Sequence, residues 1–388
     1  MKYVFFPSLI LVFTPIILQA QSKCEQATGY INNFQFSSAI HELDNCYQDD
    51  IDNPNYLFKK GYCFAKLGQF EDAKSQFEKL LQIDSNHIQV LNQLGVLLEK
   101  ENDFKGALLV YQKLINLDSA NGYYYQRKAQ IFDKNGQPYS AVATFHQAIS
   151  YNSRDVESIT SIARILFELE NYEQAINFID QGLAIQPNNA KLLAYKMKVS
   201  YQIENYYDVI ETAQHYFQQG YDSTFSLTKV IGISLFHEKH ITESIQTLEK
   251  VYSVQESEIV AYFIGIGYRE SGNHHKSVEY LNKAIDKGVS NNLSTYYTNL
   301  AISYEEQEMY AEAIKAYQTA YKSSKENILL YHLARNYDLY YKDKKTAVEY
   351  YEKYLLTQDS DNVSYMNYSE HRISELKEYI HFDIDTLN

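Results

Sequence analysis

Cysteine and histidine are the side chains of this 388-residue sequence best suited to redox or metal chemistry, and both types are clustered. Cys24, Cys46 and Cys63 are the only cysteines and lie near the N-terminal end; in an oxidising compartment such a group can form a disulfide. His237, His240, His274 and His275 fall within forty residues of one another, and imidazole suits zinc, copper or nickel. The run His237-Glu238-Lys239-His240 nevertheless lacks the i, i+4 histidine pair of a zinc-protease helix. No phosphate-binding loop, nucleophile elbow or Cys-x-x-Cys pair occurs, and acidic pairs such as Glu305-Glu306 and Asp49-Asp50 fit solvated turns and helix faces. The expectation is therefore no catalytic residues, no metal, no cofactor and no enzyme activity.

The elements that would position these residues are set by a repeat. Ala39, Ala73, Ala107, Ala141, Ala175, Val209, Ser244, Ser277, Ala313 and Ala347 follow one another at 34 residues five times, then at 35, 33, 36 and 34. Twelve residues before the first of them stands Ala27, which starts a second small column that includes Gly61, Gly95, Ala129, Ala163, Gly232 and Gly265. Four residues after the first column comes a large one, with Leu43, Phe77, Tyr111, Phe145, Ile179, Leu248, Leu281, Tyr317 and Tyr351. Spacings of three, four and seven on both sides of a turn predict two amphipathic helices per period, packed as an antiparallel hairpin. In such a hairpin the first small position faces the second large one. The sixth period then becomes regular, because Met197 is enlarged where Ala213 is reduced, and Ser200 and Val209 make the same exchange. The pairing also sets Cys24 opposite Cys46. A Cys24–Cys46 disulfide is the favoured arrangement, with Cys46–Cys63 or three free thiols as alternatives. It gives His274 the aromatic position of Phe70 and Tyr172, so a packing ring is expected there.

These columns resemble the tetratricopeptide repeat, whose pattern places small, aromatic and apolar residues at these offsets in a 34-residue unit. The tryptophan that often opens the family's repeat is absent, and only Pro187 fills its proline position. The resemblance implies an all-α, right-handed superhelical α-solenoid of about ten hairpins. It also implies that the fifth and ninth residues of each first helix face a concave groove that holds a peptide or protein partner. Carried onto this chain, the candidate groove residues are Phe58, Tyr62, Asn92, Gln126, Gln130, Arg164, Lys198, Lys229, Tyr262, Tyr331 and Arg335. None of the fifth or ninth positions is acidic, although the chain carries 49 Asp and Glu against 35 Lys and Arg. The expected partner therefore has carboxylates and apolar anchors. The Lys and Asn pair with which chaperone-binding members hold a terminal carboxylate is not found.

Repeats are expected near 20–53, 54–87, 88–121, 122–155, 156–189, 190–224, 225–257, 258–293, 294–326 and 327–361, within an array over 21–361. A capping helix over 364–380 carries Ile373, Leu376 and Ile380, and 381–388 is read as a tail. Residues 1–20 read as a secretory signal peptide: Lys2, an apolar run from Val4 to Leu18 and cleavage after Ala20. The run is short for a membrane span of about 20 residues, so an uncleaved anchor is the lesser reading and no stable insertion is expected after cleavage. Gln21, Ser22 and Lys23 argue against lipidation of Cys24. A net charge of −14 disfavours nucleic acid as a partner. Together these features describe an exported, periplasmic or secreted, non-catalytic scaffold or adaptor. A regulatory or sensory subunit, or an accessory to an enzyme, are the alternatives. Sequence leaves the oligomeric state open.

Overall fold

The computed structural model describes residues 24–288, 291–357 and 362–385. The expected signal peptide lies outside the described residues. Two compact units, Met1–Pro187 and Asn188–Asn388, divide the chain. Among the described residues both are all-helical stacks of antiparallel hairpins, the architecture of an α-solenoid. In unit 1 the hairpins are α1 (24–32) with α2 (Phe36–Cys46), α3 (Pro54–Lys66) with α4 (Phe70–Ile83), α5 (Ile88–Lys100) with α6 (Phe104–Leu117), α7 (Gly122–Lys134) with α8 (Pro138–Tyr151), and α9 (Val156–Glu168) with α10 (Tyr172–Ile185). Unit 2 pairs α11 (Ala190–Gln202) with α12 (Tyr206–Gln218), α13 (Phe225–His237) with α14 (Ile241–Val254), α15 (Glu258–Glu270) with α16 (His274–Lys287), α17 (Leu293–Glu305) with α18 (Tyr310–Ser324), and α19 (Ile328–Tyr340) with α20 (Lys345–Leu355); α21 (Val363–Asp385) follows.

A left-handed residue ends the first helix of nine hairpins: Phe34, Gly68, Asn102, Gly136, Glu170, Glu204, Lys239, Gly272 and Glu308 all have positive φ. Each stands seven residues after the column of Ala27 and Gly61 and five before the column of Ala39 and Ala73, so the turn is invariant where the sequence period is not. The backbone bond that closes it skips back five residues, as from the Gln69 N–H to the Phe64 carbonyl at 3.0 Å, and satisfies an end carbonyl the helix would otherwise leave bare. Asp103, Asn171, Asn205 and Asn273 come next in their turns and cap the second helix through their side chains. The slips of 35, 33 and 36 residues are therefore absorbed in the links between hairpins. The last hairpin departs from this pattern: its turn is one residue longer and contains no positive-φ residue.

Packing follows the columns. All ten residues of the 34-residue series are fully buried, including Ser244 and Ser277. Ser244 Oγ donates to the Gly232 carbonyl at 2.7 Å across its hairpin, and Ser277 Oγ meets Ser303 Oγ at 2.8 Å, so neither hydroxyl is left unsatisfied. A Cβ added to Gly61 would stand 2.6 Å from the Phe77 ring, and one added to Gly232 would stand 2.6 Å from Leu248. The small column thus receives the large residue sixteen positions later, in every hairpin where a glycine exposes the contact. Met197 and Ala213 hold the same two positions and are both buried. Ser200 does more than vacate space: its hydroxyl donates to Asp208, which also pairs with Lys196 at 3.2 Å.

At the N-terminal end, Cys24 and Cys46 are joined, with Cα atoms 5.4 Å apart, inside the range a disulfide spans. Cys63 is buried and free, and burial pushes its thiol up to about 11. At the other end α21 runs to Asp385, past the expected limit at 380, so the first part of the expected tail is helical. Ile373 and Leu376 sink into the cluster formed by Leu330, Tyr331, Ala334, Ala347, Tyr351 and Tyr354, with Ile380 packed beside them.

Gly232→Ala is expected to destabilise the chain by about 1–3 kcal/mol through overpacking, and Leu248→Ala by about 2–5 kcal/mol through a cavity. Combined, they should cost less than their sum, because the added methyl occupies space the leucine vacates. Equilibrium urea unfolding of the four proteins checks this; strict additivity would refute the contact.

Candidate partner-binding surface

The fifth and ninth positions of the first helices do not form one uniform surface. In unit 1, Phe58 is half-buried and stacks on His87, with ring centroids 6.0 Å apart, while Tyr62 meets Phe36 edge-on at 6.3 Å and carries the Lys66 ammonium 5.2 Å above its ring. Asn92 leaves its Oδ1 buried with no hydrogen-bond partner among the described residues. Gln126 donates to both oxygens of Asp155 at 3.1 and 3.0 Å, and Asp155 in turn caps α9. Gln130 accepts from Arg127 and donates to Glu157, each at 3.1 Å. Arg127 also places Nη2 2.8 Å from both oxygens of Glu99, which is only 5% exposed. Arg164, expected to offer a positive charge to a partner, is instead bonded to Glu168 at 2.8 and 2.9 Å and to Asp133. The basic character expected of unit 1 is therefore neutralised from within: α5, α7 and α9 are laced together by ion pairs.

The acids that do this sit three residues beyond the ninth position, on the same helix face one turn later. Glu99, Asp133, Glu305 and Asp338 all occupy that column. Each of these acids meets a cation or amide from the first helix of the next hairpin or, for the last, from α21: Arg127 for Glu99, Arg164 for Asp133, Asn336 and Arg335 for Glu305, and Arg372 for Asp338. Removing the cation strands a carboxylate in a poorly solvated place, which is why these pairs matter more than surface ones.

In unit 2 the same face changes character. Lys198 is half-buried, with its ammonium 5.2 Å above the Tyr195 ring, and Lys229 is half-buried one hairpin on. Neither makes an ion pair among the described residues. Tyr262 packs 4.8 Å from Tyr296 and 5.4 Å from Phe263, its hydroxyl accepts from Asn299 at 3.4 Å, and burial raises its pKa. Arg335 is exposed, with Nη1 3.9 Å from Glu305. Tyr331 does not belong to an open groove: Tyr365 of α21 stacks on it at 4.6 Å, and Tyr354 and Tyr368 close its remaining sides. The cap is pinned there by Arg372, whose Nε lies 2.7 Å from the buried Asp338; hydrogen bonds to Asp338 and Glu375 hold the guanidinium pKa above its usual value.

The histidines take separate roles. His237 stacks flat on Tyr206 at 4.1 Å, and burial lowers its pKa. His274 is half-buried, with Nδ1 2.9 Å from Glu306. Among the described residues no three His, Cys, Asp or Glu converge to hold a metal ion. His332, which the sequence columns did not single out, lies flat on Tyr317 at 5.1 Å, and its Nδ1 is buried without a partner among the described residues. Burial lowers its pKa, against the pull of Glu305, and Arg335 adds to the lowering.

Three segments match known family profiles: residues 54–87 and 257–326 match the tetratricopeptide repeat, and residues 100–182 match anaphase-promoting complex, cyclosome, subunit 3. No curated protein matches the chain. Among solved structures it is similar to a tetratricopeptide repeat protein from Parabacteroides merdae, with 15% identity over 64% of this chain and 98% of that one and a TM-score of 0.44. It is also similar to pilF of Pseudomonas aeruginosa, with 16% identity, 52% and 97% coverage and a TM-score of 0.42. A third, MamA from residue 41 onward of Desulfovibrio magneticus RS-1, shows 17% identity, 43% and 95% coverage and a TM-score of 0.41.

Two outcomes follow from the geometry. Since burial lowers the His332 pKa below that of an unfolded histidine, near 6.5, the unfolded state binds more protons as pH falls through that value and stability falls with it. His332→Gln should flatten that dependence in thermal melts recorded from pH 7.5 to 5; an unchanged slope would contradict it. Arg372→Ala, which leaves Asp338 with Lys344 alone, should cost about 2 kcal/mol after allowing for the partial exposure of the arginine. It should also make α21 the first site of limited proteolysis.

Proposed function

Because this chain is a tetratricopeptide repeat protein, we propose that it is a non-catalytic scaffold that captures a protein partner on the first-helix face of unit 2. The observation that carries the reading is the pair of half-buried lysines, Lys198 and Lys229, which have no carboxylate partner among the described residues and lie on consecutive hairpins, with Tyr262 on the next. At the fifth and ninth positions of unit 1 the one cation, Arg164, is already matched. A partner segment with acidic side chains would supply the missing counter-charges, and an apolar or aromatic anchor would pack on the half-buried rings of Tyr195 and Tyr262. The hairpin stack holds these groups in place before binding, so little ordering entropy is lost on the protein side.

The same proposal places the protein outside the cytoplasm, as an adaptor in the cell envelope. Lys2 and the apolar run from Val4 to Leu18 support export, and the Cys24–Cys46 pair is compatible with an oxidising compartment. No helix among the described residues is long and apolar enough to cross a membrane.

Affinity capture from an envelope extract, followed by mass spectrometry, identifies the partner. The double variant Lys198→Glu/Lys229→Glu should then weaken its binding by about tenfold to a hundredfold, with circular dichroism and melting unchanged. Undiminished binding by that variant would reject the surface, and the mature N-terminus, expected at Gln21, reports on export separately.

A further inference from the structure

Two clefts on the second-helix side of unit 1 stand one repeat apart in matching register. The first, about 660 Å³, opens between α6 and α7, with Phe104, Leu108, Leu109 and Phe132 as its apolar walls. The second, about 390 Å³, lies between α8 and the α9–α10 turn. There Val142 replaces Leu108, Ala143 replaces Leu109, His146 replaces Gln112 and Leu166 replaces Phe132, each 34 residues later. Equivalent positions repeated at the chain's own period form a track across consecutive hairpins.

Charge distinguishes the first cleft. Lys128 is half-buried in it, donates to Gln112 Oε1 at 2.6 Å and lies 5.6 Å from the centre of the Phe132 ring. No carboxylate pairs with it among the described residues, and burial alone lowers its pKa. Lys105 stands exposed at the rim. Asp103, the acid on the wall, accepts the Gly106 N–H at 2.9 Å as the cap of α6. One repeat earlier, the positions of Lys105, Gln112 and Asn135 hold Glu71, Glu78 and Glu101, so the cationic cleft belongs to this junction alone within its neighbourhood. A partly desolvated ammonium bonded only to a neutral amide is destabilised, and an incoming carboxylate would offset that cost. Leu109 in the first cleft and Tyr139 in the second, 67% and 77% exposed, leave apolar surface uncovered.

We propose that these clefts form a second docking surface, separate from the first-helix face, which takes an acidic peptide segment: its side-chain carboxylate meets Lys128 and Lys105, and an adjacent aromatic side chain enters between Phe104 and Phe132. The probes are N-acetyl-Asp-Phe-amide and its neutral counterpart N-acetyl-Asn-Phe-amide, titrated into the full chain with isotope-labelled methyl groups. The acidic probe should shift the Leu108, Leu109 and Val142 methyl signals at millimolar concentration and bind about tenfold more tightly than the neutral one. Lys128→Met, which keeps the aliphatic stem, should abolish that preference, and the exposed Lys105→Glu should reduce it without touching the core. Lys198→Glu/Lys229→Glu should leave it intact, so failure here and failure of the unit 2 surface are read separately. Equal binding of the two probes, shifts confined to other methyl groups, or a preference that survives both lysine substitutions would overturn the proposal.

Discussion

The contact on which the molecule depends is the one between a small residue of each first helix and the large residue sixteen positions later. Where the small residue is glycine, there is no room even for a Cβ beside the Phe77 ring or Leu248. That closeness fixes the spacing of the two helices in a hairpin. It also explains why the fully buried series from Ala39 to Ala347 must stay small, since the second helix brings its own backbone to the first. When the period accepts serine, as at Ser244 and Ser277, the hydroxyl finds a partner across the contact, because a buried unpaired hydroxyl would cost more than the packing gains.

A second kind of bond links one hairpin to the next. Hydrophobic stacking between repeats is non-directional, whereas the pairs Glu99–Arg127, Asp133–Arg164 and Asp338–Arg372 have a required geometry. Each places an acid of one first helix against a cation of the next first helix or of α21. In unit 1 this lacing consumes the charges of the face that the family uses for partners. In unit 2, Arg335 and Asn336 meet Glu305 in the later hairpins, while among the described residues Lys198 and Lys229 of the first two hairpins make no ion pair. Lys198 and Lys229 are thus distinguished by what the neighbouring helices fail to supply.

The first and last described elements are secured in different ways. In the first described hairpin, α1 and α2 are joined covalently by the Cys24–Cys46 bridge. At the other end α21 covers Tyr331, a residue whose position in the repeat would otherwise mark it for binding. The same side chain is a groove residue by register and a core residue by context, and the cap decides which.

The sequence by itself determined the hairpins, their turns, the buried columns and the opposition of Cys24 and Cys46. All of these follow from spacings within about 34 residues, and helix periodicity converts such spacings directly into faces. Even the irregular sixth repeat was legible, since Met197 and Ala213 exchange volume at one contact. The charge balance of the candidate surface was decided only by the tertiary structure. Arg164 and Lys198 are the same kind of residue at the same position, yet one is held by Asp133 and Glu168 and the other, among the described residues, makes no ion pair and lies over a tyrosine ring. Their difference arises from side chains contributed by other helices, and an ion pair depends on distances of a few ångströms between groups that register in the repeat does not specify. Tyr331, His274 and Lys128 were settled in the same way, by what lies across from them in space.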